Sequence, residues 1–341
     1  MPRCKLKNCP YDQDGRCVEN QLPNCPNLLP DEIENPVAQE AKPLDTETIR
    51  TSPQYEALYS GKKLTAVEAT QILQSRPAQV VVLGGMVESG KTTLLARLFE
   101  MFQSKRVAGH RFAASRTLAE FDKLSWHATM ECGAPDPKTE RTDRSENNLF
   151  LHLCIRAEDG SVPPMDLLIG DIPGEIFPEA VAEERVCLDL CALRRADHLV
   201  LFLDGEVLCD AANRHDPCGK VSDFVFRALQ TGQIGRHTIL HLVISKCDKL
   251  PSDAGNEVLT FVEKTEKLFQ TQFTKHFGSL HCWRVAARPV HPVEPTIGEI
   301  SKIFGLWIGN SHQSAGTSAQ MPQRLDFSRD FCRFGLSDKP L

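Results

Sequence analysis

Residues 85–92, Gly85-Met86-Val87-Glu88-Ser89-Gly90-Lys91-Thr92, set two glycines, a lysine and a threonine at the spacing G-x-x-x-x-G-K-[ST]. The backbone N–H groups of such a loop wrap the β-phosphate of a nucleotide, and the positive end of a following helix faces the same anion. Gly85, Glu88, Ser89, Gly90, Lys91, Thr92 and Thr93 are therefore candidate nucleotide-binding residues. Lys91, read as a solvent-facing loop charge, would stand between the β- and γ-phosphates. The Thr92 hydroxyl suits Mg²⁺, which takes oxygen donors and shares its shell with phosphates.

Two further clusters carry chemistry. Asp171-Ile172-Pro173-Gly174-Glu175 ends an apolar run, so Asp171 can meet a metal ion while the Gly174 N–H approaches a terminal phosphate. Ser245-Lys246-Cys247-Asp248 ends another apolar run, where a ligand site at a topological switch point is expected. Ala286-Ala287-Arg288 follows the last such run.

Strands and helices must hold these clusters. Val80 to Leu83 is an unbroken apolar, largely β-branched run leading into the glycine loop, and Leu94, Leu95, Leu98 and Phe99 recur as one face of a helix ending near Ser104. Leu149–Arg156 and Met165–Gly170 read as strands joined by a turn too short for a helical crossover, so they must be antiparallel neighbours. Beyond them the chain alternates strand and helix: strands at Leu199–Leu203, Thr238–Ile244 and Cys282–Ala286, helices at about Ser222–Thr231, Val258–Phe277 and Ile297–Trp307. That rhythm predicts an α/β fold with a mostly parallel sheet covered on both faces. Thr65-Ala66-Val67-Glu68 has the form of a capping box for a short helix packing on this domain. Arg106–Asn148 reads as irregular, apart from an amphipathic piece at Leu118–Met130.

In this order, each at a strand end, Gly85–Thr92, Asp171–Gly174, Lys246 with Asp248, and Ala287 resemble the TRAFAC-class P-loop GTPases over about residues 79–308. The Gly-x-x-x-Ser-Gly-Lys-Thr-Thr-Leu-Leu run, Asp-x-x-Gly-Glu, the capped helix and a cysteine-rich N-terminus look most like the double-GTPase group of bacterial multi-gene conflict or defence systems. The resemblance implies a Ras-like three-layer sandwich and the cofactors GTP or GDP with Mg²⁺. It makes Lys246 the residue whose stem covers guanine and Asp248 the buried carboxylate that reads its N1–H and amine, with an Ala287 backbone contact to O6. Adenine offers no N1–H, so that carboxylate would be left without its donors. Ser245 stands where the class has asparagine. Glu175 stands where Ras-like members have the glutamine that orients the attacking water, so intrinsic hydrolysis should be slow. Mg²⁺ ligands would be Thr92, Asp171 and a threonine of the first switch, for which Thr142 is preferred over Thr139. Lys91, Thr142, Gly174 and Glu175 are thus the candidate catalytic set.

The N-terminus carries Cys4, Cys9, Cys17 and Cys25 among turn residues. Four thiolates on one Zn²⁺ would hold so short a segment together, with an iron–sulfur cluster or unligated thiols as alternatives. The expected division is a cysteine-rich zinc knuckle at 1–28, a linker and packing helix at 29–78, a nucleotide-binding domain at 79–308 and a polar tail at 309–341. Phe327, Phe331 and Phe334 of the tail would dock on a partner or back on the domain. A net charge of −6 argues against a dominant nucleic-acid face. With no signal peptide or apolar run of spanning length, a cytoplasmic location is expected, and the nine cysteines outside the N-terminal cluster read as free thiols. Other proteins of the same system are the expected partners. A P-loop ATPase or small-molecule kinase, and a GTP-binding scaffold without turnover, are the rival readings.

Overall fold

The computed structural model describes residues 3–5, 28–29, 59–128, 148–160, 163–253, 255–288 and 294–309. The chain divides into two units, Met1–Ala57 and Leu58–Leu341. In the first, β1 (Arg3–Cys4) pairs antiparallel with β2 (Leu28–Leu29). Cys9, Cys17 and Cys25 lie outside the described residues, as do Thr139 and Thr142 and the phenylalanines of the tail.

The second unit is built on a seven-stranded sheet. Its strands are β3 (Ala78–Gly85), β4 (His110–Ala114), β5 (Phe150–Ala157), β6 (Met165–Asp171), β7 (His198–Asp204), β8 (Ile239–Ser245) and β9 (Ser279–Arg284), in the order β4-β5-β6-β3-β7-β8-β9. β6, β3, β7, β8 and β9 are mutually parallel, while β5 runs antiparallel to both β4 and β6. The short-turn argument for β5 and β6 therefore holds, with Phe150 opposite Gly170 and Ile155 opposite Met165. β4 was not expected. Its five residues include no run of large apolar groups, and it lies at the sheet edge, partly exposed, where pairing to β5 rather than burial defines it.

Both faces of the sheet are covered, which explains why the strands read as continuous apolar runs rather than alternating ones. Along β3, Val80 and Val82 enter one core and Val81 and Leu83 the other. The first core takes in α1 (Ala66–Ser75) through Ala69 and Ile72, α7 (His215–Gln230) through Phe224, and α8 (Glu257–Phe273) through Phe269. The second is closed by α2 (Lys91–Ser104), α3 (Leu118–Ala128) and α9 (Glu294–Trp307), through Leu95, Phe121 and Phe304. Full burial of each of these leucine, isoleucine and phenylalanine side chains contributes about 1.5–3 kcal/mol. α1 starts with the expected capping box: the Thr65 hydroxyl accepts from the Glu68 N–H, and the Glu68 carboxylate accepts from the Thr65 N–H at 2.8 Å. α7 begins at His215, well before the expected start, because Pro217 falls in its first turn, where no intrahelical N–H bond is lost. Shorter elements follow β6 and β7: α4 (Ile176–Ala182), α5 (Glu184–Leu188), a 3₁₀ turn at Cys191–Arg195 and α6 (Gly205–Leu208). Seven of the nine expected free thiols are described, and all seven are free.

A chain of rings, half-buried at Trp283 and buried at His241 and His198, crosses the sheet away from the glycine loop. Trp283 Nε1–H donates to His241 Nδ1 at 3.1 Å, which leaves the His241 proton on Nε2, 3.1 Å from His198 Nδ1. His198 in turn bonds the Trp307 backbone. Each imidazole is therefore neutral, and protonating either would set one N–H against another. Burial pushes His198 down to about 4 and His241 well below its ordinary value, and it lowers His281 as well. An unfolded chain takes up these protons near pH 6.5 while the folded one refuses them, so stability is complete above that pH and declines as pH falls towards about 4. Denaturant titrations between pH 7 and 4 should show losses approaching ~1.4 kcal/mol per pH unit for each histidine so held. A flat profile over that interval would contradict the neutral-ring assignment.

Candidate nucleotide site

The order of strands reverses at β3, with β6 on one side and β7 on the other, which opens a crevice beyond its C-terminal end. The glycine loop occupies that crevice between β3 and α2. Gly85 and Gly90 have φ of 149° and 86°, so each adopts a backbone that L side chains resist. Both are also crowded: a Cβ on Gly85 would lie 2.9 Å from the Phe202 carbonyl oxygen, and one on Gly90 3.2 Å from Ser245 Cβ. Glu88 takes up the left-handed conformation too, at φ 62°. No side chain caps the first turn of α2. The turn that would receive an anion thus carries no side chain in its place.

Lys91 is buried, 6% exposed, and not the solvent-facing charge the sequence led us to expect. Its Nζ donates to the carbonyls of Gly85 and Met86, each at 3.1 Å, so the loop folds over its own lysine. Burial lowers its pKa from the ordinary lysine value, and the Asp171 carboxylate partly offsets this. Ser89 Oγ is buried without a hydrogen-bond partner among the described residues.

Asp171 reaches this loop because β6 pairs in register with β3, setting Asp171 opposite Leu83. The Thr92 hydroxyl donates to Asp171 Oδ2 at 3.1 Å. Gly174 approaches closer still: a Cβ there would stand 2.6 Å from Val87 N and 2.7 Å from Val87 Cα. The Asp171–Gly174 turn therefore rests directly on the phosphate loop. Glu175 is exposed at the head of α4.

At the end of β8, Ser245 Oγ donates to the Leu203 carbonyl at 3.2 Å. Lys246 adopts φ 48°, and its Nζ donates to Asp204 at 2.7 Å and to Glu206 at 3.3 Å. Burial opposes its charge, but hydrogen bonds and attraction from Asp204 and Glu206 together raise its pKa. Asp248, in the 3₁₀ turn Cys247–Lys249, is exposed; it is not the buried carboxylate expected and would be desolvated only under a bound base. The Cys247 N–H donates to the Val285 carbonyl at 3.2 Å, tying this loop to the turn that carries Ala287, itself packed against the second core. The Asp171–Gly174 turn, the phosphate loop, Ser245 with Lys246, and the end of β9 thus adjoin one another in turn.

Asp204, Gly205 and Glu206 escaped the sequence reading. A Cβ on Gly205 would fall 2.5 Å from the Ser245 carbonyl oxygen, so glycine lets the end of β7 touch the Lys246 loop. The signal was an aspartate closing an apolar strand, as at Asp171, here followed directly by a glycine.

The fold and this loop define a P-loop protein of the GTPase type. The family model for Double-GTPase 2 matches residues 79–308, and the chain belongs to that family. GTP or GDP and Mg²⁺ are the ligands this membership implies. The residues fit them: the glycine cradle, the buried Ser89 hydroxyl and the uncapped helix suit a phosphate, and the adjoining oxygens of Thr92 and Asp171 suit a hard divalent cation. No curated protein matches the chain. Among the described residues no helix is long and apolar enough to cross a membrane, and no group of three or more His, Cys, Asp or Glu side chains is arranged to hold a metal ion.

Proposed function

We propose that the protein is a GTP-binding molecular switch with slow, Mg²⁺-dependent hydrolysis, acting with partner proteins of a bacterial multi-component system. The contact of Gly174 with Val87 carries this reading. With backbone against backbone, a terminal phosphate entering beside the loop changes what the Asp171–Glu175 turn can rest on. Di- and triphosphate then differ in interaction free energy with the two positions of that turn, as a switch requires. Thr92 and Asp171, joined by Thr142, would hold Mg²⁺, which when bound neutralises charge on the β- and γ-phosphates. Lys91 would exchange its two carbonyl partners for phosphate oxygens. Asp204 and Glu206 fix the Lys246 ammonium at the end of β7, leaving its stem to cover the base and Asp248 to read it.

Single-turnover phosphate release from GTP, with Mg²⁺ and without a partner, tests the catalytic half. The expected result is slow release that chelation abolishes. No release at all would favour a GTP-bound scaffold, and equal release from ATP would favour an ATPase. In the same assay Glu175→Gln should raise the rate modestly, because an exposed carboxylate near a γ-phosphate repels it and the amide does not. The gain should stay well below the ~10³–10⁵ of an arginine finger. A rate that falls tenfold or more would make Glu175 the general base.

A further inference from the structure

We propose that Lys63, from the segment preceding the family-matched domain, is a phosphate-binding residue that sets a positive charge beside the terminal phosphate of a bound nucleoside triphosphate. The inference rests on the nucleotide reading above and adds a residue to it. Lys63 lines a small cavity together with Thr92 and Asp171, the two oxygen donors assigned to the metal, over a floor of Leu95, Leu124 and Ile169.

The backbone on either side of Lys63 is fixed. Leu64, buried at 4% exposure, exchanges two 2.8 Å hydrogen bonds with Phe150, its N–H to the Phe150 carbonyl and the Phe150 N–H to its own. Phe150 is also the partner of Gly170 in the β5–β6 ladder, so Leu64 is one strand removed from the residue before Asp171. On the C-terminal side the Thr65–Glu68 capping box locks the entry to α1. On the N-terminal side the Gly61 carbonyl accepts from the Glu120 N–H at 3.3 Å, and with φ at 77° a Cβ on Gly61 would meet Ala119 Cβ at 2.9 Å. Three attachments within five residues make this a built extension of the sheet edge. A lysine there carries a compact ammonium on a flexible stem, suited to a phosphate oxygen rather than to bidentate recognition.

The other two lysines of the site are differently placed. Lys91 lies beneath the loop, held by Gly85 and Met86, and Lys246 stands at the base end, held by Asp204 and Glu206. Lys63 approaches from the Thr92–Asp171 side, where triphosphate and diphosphate differ. Its charge should therefore favour the triphosphate selectively, whereas a stem that only closed the cavity would not distinguish the two.

The test compares Lys63→Met, which keeps the stem and removes the charge, with Lys63→Arg, in the full chain with Mg²⁺. GTPγS and GDP affinities are measured by competition against a fluorescent guanine nucleotide. We expect Lys63→Met to weaken GTPγS about tenfold while GDP changes less than about twofold, and Lys63→Arg to restore most of the difference. An unchanged GTPγS-to-GDP ratio in Lys63→Met, or equal weakening of both with a lower melting temperature, would overturn the assignment of Lys63 alone. Wild-type protein that binds neither nucleotide would overturn the nucleotide reading, and this inference with it.

Discussion

Lys91→Met is expected to bind GTP and GDP at least ~100-fold more weakly than the wild type while folding normally. The expectation follows from where Lys91 sits. Its ammonium is buried at the start of α2, held by the carbonyls of Gly85 and Met86 with a weaker attraction from Asp171, and burial lowers its pKa. Phosphate oxygens would give that charge a stronger partner than two neutral carbonyls, and Met forfeits the exchange while preserving the stem volume. Removing a buried cation relieves its desolvation cost, and this offsets the two hydrogen bonds lost. The ligand-free melting temperature should therefore change little. Equilibrium dialysis with labelled nucleotide reads the first effect and thermal melting the second. Wild-type affinity in Lys91→Met would remove the phosphate-loop role.

Asp248→Asn should exchange the base preference, favouring XTP over GTP by ~10²-fold or more relative to wild type. On the proposed reading the carboxylate would accept two N–H donors from guanine, whereas the asparagine amide would donate to the C2 oxygen of xanthine. Because Asp248 is exposed on a short 3₁₀ turn, the substitution should leave stability within about 0.5 kcal/mol. Competition of XTP and GTP for one labelled nucleotide measures the change. An unaltered ratio would mean that another residue reads the base.

Much of the site was legible because its residues are bound to strand ends. Val80–Leu83, Leu199–Leu203 and Leu242–Ile244 are apolar on both faces, and the chemistry-bearing residues follow within a few positions of each. Once the strands are parallel and adjacent, their C-terminal ends must converge, and the motifs with them. What sequence could not supply was burial at the loop itself. Lys91 turned out to be enclosed because glycines at 85 and 90 let the chain fold over it, and Asp248 turned out to be exposed because its turn projects beyond the sheet. β4 was invisible because edge pairing, rather than an apolar pattern, makes it a strand. Lys63 and the Asp204–Glu206 pair are long-range features: one depends on a bridge from Leu64 to Phe150, the other on the approach of Gly205 to Ser245. Asp204 before Gly205 marks a strand end, but nothing local in either stretch names the distant partner.

Competition between unlabelled GTP and ATP for a fluorescent guanine nucleotide, in the presence of Mg²⁺, tests the central claim most directly. The account predicts that GTP displaces the label at least ~100-fold more effectively than ATP, because adenine leaves the Asp248 carboxylate desolvated without donors. Equal displacement by the two would contradict it.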